Sequence, residues 1–491
     1  MFRNRLVAHN NINLLLVLIF VIHQNFSIKI VEIPFEIMTQ RMDSLEIHDL
    51  EDIKTPIGVE LSGKYKQSFG YETIKDRLPV IVTKIIDTMS RDKEEIIDKY
   101  GPGTAEEIKH IIGCISKMKN EMVTNKELKP LTLLPGNDDE DGIIWNKFFE
   151  KRTEIEGKIP TWYNTIWLYC ECYMYRRIYQ ELALTEHLKT YDPFEKQKVT
   201  AFNNSINSIK IVSKFTMDLI NKHEELTPIE RKEGFIKLLK INLWGNKCDL
   251  SLSGGAECSE SGNPLDFVNI FEKDLLIDNS QLLWDLLSKK NDGIVDIVLD
   301  NAGYELFTDL SFAAFITSEK LTKKIRFYVK RYPWYVSDVT LNDFHWTIDS
   351  MKNSSDENLK SLGEVCQNYL TKEIWTIEVE KFWTEPYTFD EIKKRDPSLY
   401  AKFSEAILVI FKGDLNYRKL LGDINWEYTK DFAEALREFK PTNVASLRTI
   451  KCDICVGLAP GQAEEVEEKD KDWLFTGKYG LIQTTLDSKC N

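Results

Sequence analysis

Four short apolar runs in the second half of the chain restrict what it can fold into. Residues 295–299, 325–329 and 407–411 are short, mostly apolar runs with β-branched residues, and residues 447–454 alternate more. Helical stretches separate them, and polar residues follow each. Mostly apolar runs of this length read as strands buried on both faces. Strands alternating with helices predict an α/β fold, a three-layer α/β/α domain with a mostly parallel sheet.

The first half reads as an all-helical region. Ile74, Leu78, Ile81, Val82, Ile85 and Met89 share one helix face. Gly101, Pro102 and Gly103 interrupt the chain, and Thr104 with Glu107 predicts a capping box. Ile108, Ile111, Ile112, Ile115, Met118 and Met122 carry the buried stripe onward. Residues 161–182 read as a dense aromatic helix holding Glu171, Arg176 and Arg177, which either wall a site or form structural ion pairs. The expected division is an N-terminal extension over 1–57, a helical domain over 58–243 and the α/β/α domain over 244–491. A Ser- and Gly-rich loop is expected from Ser251 to about Pro264.

A chain of 491 residues with 43% hydrophobic residues can bury a large core. Its net charge of −14 and pI of about 5.2 argue against a nucleic-acid partner. Nine cysteines without a repeating spacing do not form a disulfide framework, and the Cys452/Cys455 pair has no second pair to complete a zinc site. The seven histidines show no metal-ligand pairing, so a zinc site of the His/Cys kind is not expected. Arg3 and Arg5 precede the apolar run 14–22, a signal-like pattern without a small-residue cleavage site. The run is short of the ~20 residues a bilayer span needs, so no stable membrane insertion is expected. We read it as an extension of a cytoplasmic protein, with the nucleus as a further location; the run leaves a secretory alternative open.

The ends of the candidate strands carry the chemistry. Asp300 and Asn301 follow the first, with Glu305 opening the next helix. Lys330 and then Asp338 follow the second. The third ends in Lys412, Gly413, Asp414, Leu415, Asn416, Tyr417 and Arg418, and the fourth carries Arg448, Thr449 and Lys451. Asp300, Asn301 and Asp338 offer oxygen alone, which suits a hard divalent cation. Lys412, Arg418, Arg448 and Lys451 can hold a phosphate. Asn246 and Asp249 either line the same cleft or cap a helix turn. The chain lacks G-x-x-x-x-G-K-[ST], G-x-G-x-x-G and G-x-S-x-G, so the standard nucleotide, dinucleotide and hydrolase-elbow readings fail.

At these positions the sequence resembles the metal-dependent damage-control phosphatases, in the branch also named acidic residue methyltransferase or protein-glutamate O-methyltransferase. The matching segments are LWGNKCDLSLSGG (243–255), VLDNAGYEL (298–306), PWYVSD (333–338), FKGDLNYRKL (411–420), RTIK (448–451) and GKYG (477–480), with ECYMYRRI (171–178) in the helical part. The resemblance covers about Gly58 to the C-terminus. It implies Mn²⁺, or Mg²⁺, Co²⁺ or Ni²⁺, held by Asp300, Asn301 and Asp338, which are also the expected catalytic residues. It implies substrate contacts at Asp300, Asn301, Asp414, Leu415, Asn416, Tyr417, Arg418 and Lys451. The implied substrate is a small phosphorylated metabolite, a sugar phosphate such as fructose 1-phosphate. The alternative is an S-adenosylmethionine-dependent methyltransferase acting on a protein, with Glu305 and Asp338 at the cofactor.

Overall fold

The computed structural model describes residues 50–136, 139–246, 263–290 and 292–486, without the side chains of 267–269. The apolar run 14–22, Asp249 and residues 251–262 of the expected loop lie outside the described residues. Among the described residues no helix is long and apolar enough to cross a membrane.

The helical part begins with one α-helical turn, Phe69–Glu72, and a turn of π-helix, Thr73–Arg77, which runs directly into helix α1, Leu78–Arg91. Ile74, Leu78, Ile81, Val82, Ile85 and Met89 are all buried, as the periodicity predicts. Helix α2 spans Thr104–Val123. The capping box expected at its start does not form: Thr104 lies inside the helix, and Gly103 precedes it without a side-chain cap. Glu107 instead accepts backbone N–H bonds from Glu186 at 2.7 Å and His187 at 3.2 Å. A partner 79 residues away wins over the local one. The aromatic helix α3 covers Trp167–Ala183, with residues 161–166 forming a turn before it.

The sheet has seven strands in the order β1-β7-β6-β5-β2-β3-β4. They are β1 Leu275–Asp278, β2 Ile294–Val298, β3 Lys324–Tyr328, β4 Trp375–Glu378, β5 Ala406–Lys412, β6 Val444–Thr449 and β7 Gly480–Thr485. Every neighbouring pair is parallel except β6 with β7. The fourth run is thus displaced: its strand begins at Val444 and ends at Thr449, leaving Lys451 just beyond it. Both faces are covered. Val295 and Ile297 of β2, with Leu299 just beyond it, join Ile325, Phe327, Leu408 and Ile410 in one apolar layer under helices α4 (Ile206–Asn221), α5 (Pro228–Gly245) and α6 (Tyr304–Ser318). The other face packs Phe389, Phe403, Phe411 and Phe439 ring against ring. Asp296 on that face takes a bidentate bond from the cross-strand Arg326, at 2.6 and 2.8 Å, so the buried charge is matched. Helix α5 runs across residues 243/244, the boundary expected from sequence, and packs against α6.

The chain order places the site. β2 leads to β3 and β4 on one side, and the chain then returns to lay β5 on the other side of β2. The two connections diverge there and open a crevice at the carboxyl ends of β2 and β5, where open α/β sheets bind ligands.

Candidate functional site

Asp300 and Asn301 leave β2 into this crevice. They are tied backbone to backbone with the segment after β3: the Val339 N–H donates to the Asp300 carbonyl at 2.8 Å, and the Ala302 N–H to the Ser337 carbonyl at 2.7 Å. Asn301 and Asp338 face each other in an isolated antiparallel bridge. The turn that delivers Asp338 holds Tyr335 at φ 44° and the β-branched Val336 at φ 67°. Positive φ at a β-branched residue costs on the order of 1–3 kcal/mol. The surrounding bonds hold that strain beside the Asn301–Asp338 bridge.

Helix α5 supplies the knot. A Cβ on Gly245 would lie 2.7 Å from Thr308 Oγ1, so glycine lets the helix end close on α6. Asn246, the C-cap, is fully buried. Its Nδ2 donates to Asp300 Oδ2 at 2.8 Å and to Glu305 Oε2 at 2.9 Å, while Thr449 Oγ1 donates to its Oδ1 at 2.9 Å. Its carbonyl accepts from Lys451 Nζ at 2.5 Å. Asn246 therefore both ends a helix and joins the ends of β2 and β6. Asn301 Nδ2 repeats the pattern, at 2.8 Å from both Asp300 Oδ2 and Glu305 Oε2, and Ser337 Oγ donates to its Oδ1 at 2.5 Å.

After β5 the chain turns sharply at Gly413, φ 78°, into helix α7, Gly413–Leu420. A Cβ there would sit 1.7 Å from Asp300 Oδ2, so the position admits no side chain. The first turn of α7 has no side-chain cap, and its amide ends carry partial positive charge toward the crevice.

Arg77, Trp167, Glu171, Asp300, Tyr335, Asp338, Asp414, Leu415, Arg418 and Lys451 line one cleft. The structure thus brings together Asp300, Asp338, Asp414, Leu415, Arg418 and Lys451 as the sequence nominates them. Asn301 sits immediately behind. Asn416 and Tyr417 turn inward instead. Asn416 Nδ2 donates to the Lys412 carbonyl at 2.7 Å, and the Tyr417 hydroxyl donates to Gln483 Oε1 at 2.8 Å. Neither side chain lines the cleft: Asn416 braces the start of α7 and Tyr417 ties α7 to β7.

The cations divide in the same way. Lys412 lies beneath the cleft, 2.9 Å from Glu305 Oε1 and 3.0 Å from Asp309 Oδ1. Those two carboxylates hold its ammonium above the usual lysine range against the penalty of burial. Arg448 clamps Asp414 at 2.8 Å, donates to the Ile454 carbonyl at 2.6 Å and packs over the Tyr417 ring. Neither Lys412 nor Arg448 lines the cleft, whereas Arg418 and Lys451 do. Gly477, at φ 68°, lies against the Lys451 stem, 3.3 Å from a built Cβ to Cε, which places GKYG beside RTIK. Helix α3 also divides. Glu171 bonds Arg418 at 2.7 Å and lines the cleft, whereas Arg176 is paired with Asp141 at 2.6 Å in the core.

Glu385 lies behind the cleft and is 3% exposed. Burial outweighs the attraction of Lys419 and pushes its carboxyl up to about 7. Folding therefore favours the protonated form. The resulting stability is complete below the ordinary carboxylate value of about 4.3 and is lost as pH rises through 7. Glu385→Gln should flatten that fall and exceed the wild type in stability at about pH 8. Denaturant midpoints at about pH 5 and about pH 8 measure it; an unchanged pH slope in the variant would rule this source out.

The family model of the damage-control phosphatase ARMT1-like domain matches residues 73–466. The chain belongs to this family. Curated damage-control phosphatases ARMT1 agree along nearly their whole length. The Mus musculus protein is 41% identical over 433 residues, covering 86% of this chain and 97% of its own. The Homo sapiens protein is 40% identical over 438 residues, covering 87% and 98%. The Danio rerio protein is 39% identical, covering 86% and 96%. A solved duf89 family structure from Pyrococcus horikoshii has a TM-score of 0.37 at 16% identity, covering 71% of this chain and 91% of that one, too remote to bear on function.

Membership in this phosphatase family supports an enzyme, and it supports the resemblance carried by the strand-end segments. Sequence reasoning missed Arg77 and Trp167. Arg77 sits on the polar side of a stripe read as one regular helix, and the π turn that aims it has no simple sequence signature. Trp167 lies under the Arg418 guanidinium, 3.6 Å from the ring centroid, among aromatics that all read as core.

Proposed function

We propose that the protein is a metal-dependent phosphatase hydrolysing small phosphate esters, sugar phosphates such as fructose 1-phosphate among them, in metabolite damage control. One observation carries the reading: the cleft sets oxygen-donor side chains directly beside Lys451, Arg418 and an uncapped helix start. The donors fit a hard cation. Asp300, Asn301 and Asp338 are each at most 3% exposed, offer oxygen alone, and lie where Gly413 leaves the space beside Asp300 clear of side chain. A divalent cation there, Mn²⁺ or Mg²⁺ among the candidates, supplies Lewis-acid polarisation of the ester and a more acidic water.

The chain's own residues do the rest. Lys451 and the first-turn amides of α7 hold the phosphoryl oxygens and neutralise the charge that builds as the ester bond breaks. Asp414, fixed by Arg448, accepts hydrogen bonds from hydroxyl groups of the organic part. Trp167 and Tyr335 wall the cleft and limit water. Nothing in the geometry favours the methyltransferase alternative. Glu305 is 2% exposed and engaged by Lys412, Asn246 and Asn301, which leaves it no face toward a cofactor. The unpaired thiols of Cys452 and Cys455 support a reducing compartment such as the cytoplasm.

Phosphate release over a panel of small esters, after chelation and then with Mn²⁺, Mg²⁺, Co²⁺ or Ni²⁺, tests the proposal. Release should vanish on chelation and return with metal. Lys451→Ala should lower kcat about a hundred- to a thousandfold, the ~2.7–4 kcal/mol of a preorganised electrostatic contact. Full turnover in chelator, or in Lys451→Ala, would overturn the mechanism.

A further inference from the structure

Helix α2 places His110 and Cys114 one turn apart on the same face, and α3 brings Glu181 against them. The fold brings together residues that lie scattered in the sequence. One ligand atom from each lies within 4.8 Å of the others, and Cys114 Sγ is 3.5 Å from His110 Nε2. Tetrahedral zinc bonds of ~2.0–2.3 Å require ligand atoms roughly 3.3–3.6 Å apart, so the Cys–His pair already has the spacing and Glu181 needs a small rotamer shift. Glu181 lies ten residues beyond Glu171 on α3, roughly 15 Å along the helix at 1.5 Å per residue, which separates this cluster from the cleft.

We propose that His110, Cys114 and Glu181 form a second metal site, selective for Zn²⁺ or Co²⁺ over the hard cations suited to the cleft, with water completing the coordination. A thiolate and an imidazole favour these softer ions, whereas oxygen-only donors favour Mg²⁺. Glu181 now takes a bond from Gln180 Nε2 at 3.2 Å and lies 3.8 Å from the Arg177 guanidinium. Binding releases Arg177 from that carboxylate. The Cys114 thiol enters carrying its proton. Metal replaces its proton, which leaves to the buffer, and affinity rises with pH. The bound ion staples α2 to α3, and it raises the melting temperature as any ligand of the folded state does.

The test is Co²⁺ titration of the chelated full-length protein, read by its sulfur-to-cobalt charge-transfer absorption, which a site of oxygen donors cannot give. The band should appear in the wild type and in Asp300→Ala, vanish in Cys114→Ser, and require at least about tenfold more Co²⁺ in His110→Ala. Phosphate release by Cys114→Ser should match the wild type, since the cluster lies outside the cleft. No band in the wild type, an undiminished band in Cys114→Ser, its loss in Asp300→Ala, or wild-type affinity in His110→Ala would each overturn the assignment.

Discussion

Asp300→Ala should cut phosphate release by on the order of a thousandfold or more while the chain remains folded. The loss has two sources. In the proposed site the carboxylate is one of three oxygen donors for a cation, so its removal would strip charge from the place where that cation would sit. It also ends two hydrogen bonds, those from Asn246 and Asn301, each 2.8 Å long. Both amides are buried, and an unsatisfied buried donor costs about 1–3 kcal/mol. Both amides also donate to Glu305, at 2.9 and 2.8 Å, which retains part of their bonding. The stability cost should therefore be modest beside the catalytic one. Asp300→Asn separates the two effects: it fills the same volume but weakens the cation site. Metal uptake and denaturant midpoints on both variants distinguish ligand loss from misfolding. Wild-type Mn²⁺ uptake in Asp300→Ala would remove Asp300 from the site.

The scaffold and the lining of the cleft were each legible in part. β2, β3 and β5 lie within about a residue of their apolar runs because burial on both faces keeps them mostly apolar, the Asp296–Arg326 pair being matched across β2 and β3. β1 and β4 sit at the two edges of the sheet, with residues such as Ile277 and Thr376 half-buried, and an edge strand need not be continuously apolar. β6 was displaced because Arg448 and Thr449 are polar yet fully buried, their partners being Asp414 and Asn246 from distant segments. The same limit explains Glu107, whose local pattern predicts a cap and whose real partners come from the 186–187 turn. Local periodicity reports which face is buried. It does not report which of several adjacent polar residues turns inward, and so Asn416 and Tyr417 were read with Arg418 although their side chains point elsewhere.

Arg418→Ala should destabilise the fold by about 3–5 kcal/mol, a larger effect than a substrate-binding arginine would produce. The guanidinium is 3% exposed and fully committed. It donates from Nε and Nη2 to the two Asp423 oxygens at 2.8 and 3.0 Å, and from Nη1 to Glu171 Oε2 at 2.7 Å. Asp423 and Glu171 both have nearly buried side chains, 1% and 4% exposed. Removing the arginine leaves both charges facing each other across an empty space, without the cation that compensates their desolvation. It also uncovers the Trp167 ring. Glu171→Gln removes one carboxylate and keeps the Asp423 fork, so it should cost less. The double variant Arg418→Ala/Glu171→Gln should recover part of the loss, because a neutral amide needs no counter-charge. Denaturant unfolding of the three variants gives the coupling energy directly. A cost under about 1 kcal/mol for Arg418→Ala, or no recovery in the double variant, would show that the pair does not hold α3 to α7. If the cost is as large as expected, Arg418 is a fixed part of the cleft wall, its one positive charge already matched by Asp423 and Glu171. In the proposed site the positioning of the ester then passes to Lys451 and the start of α7.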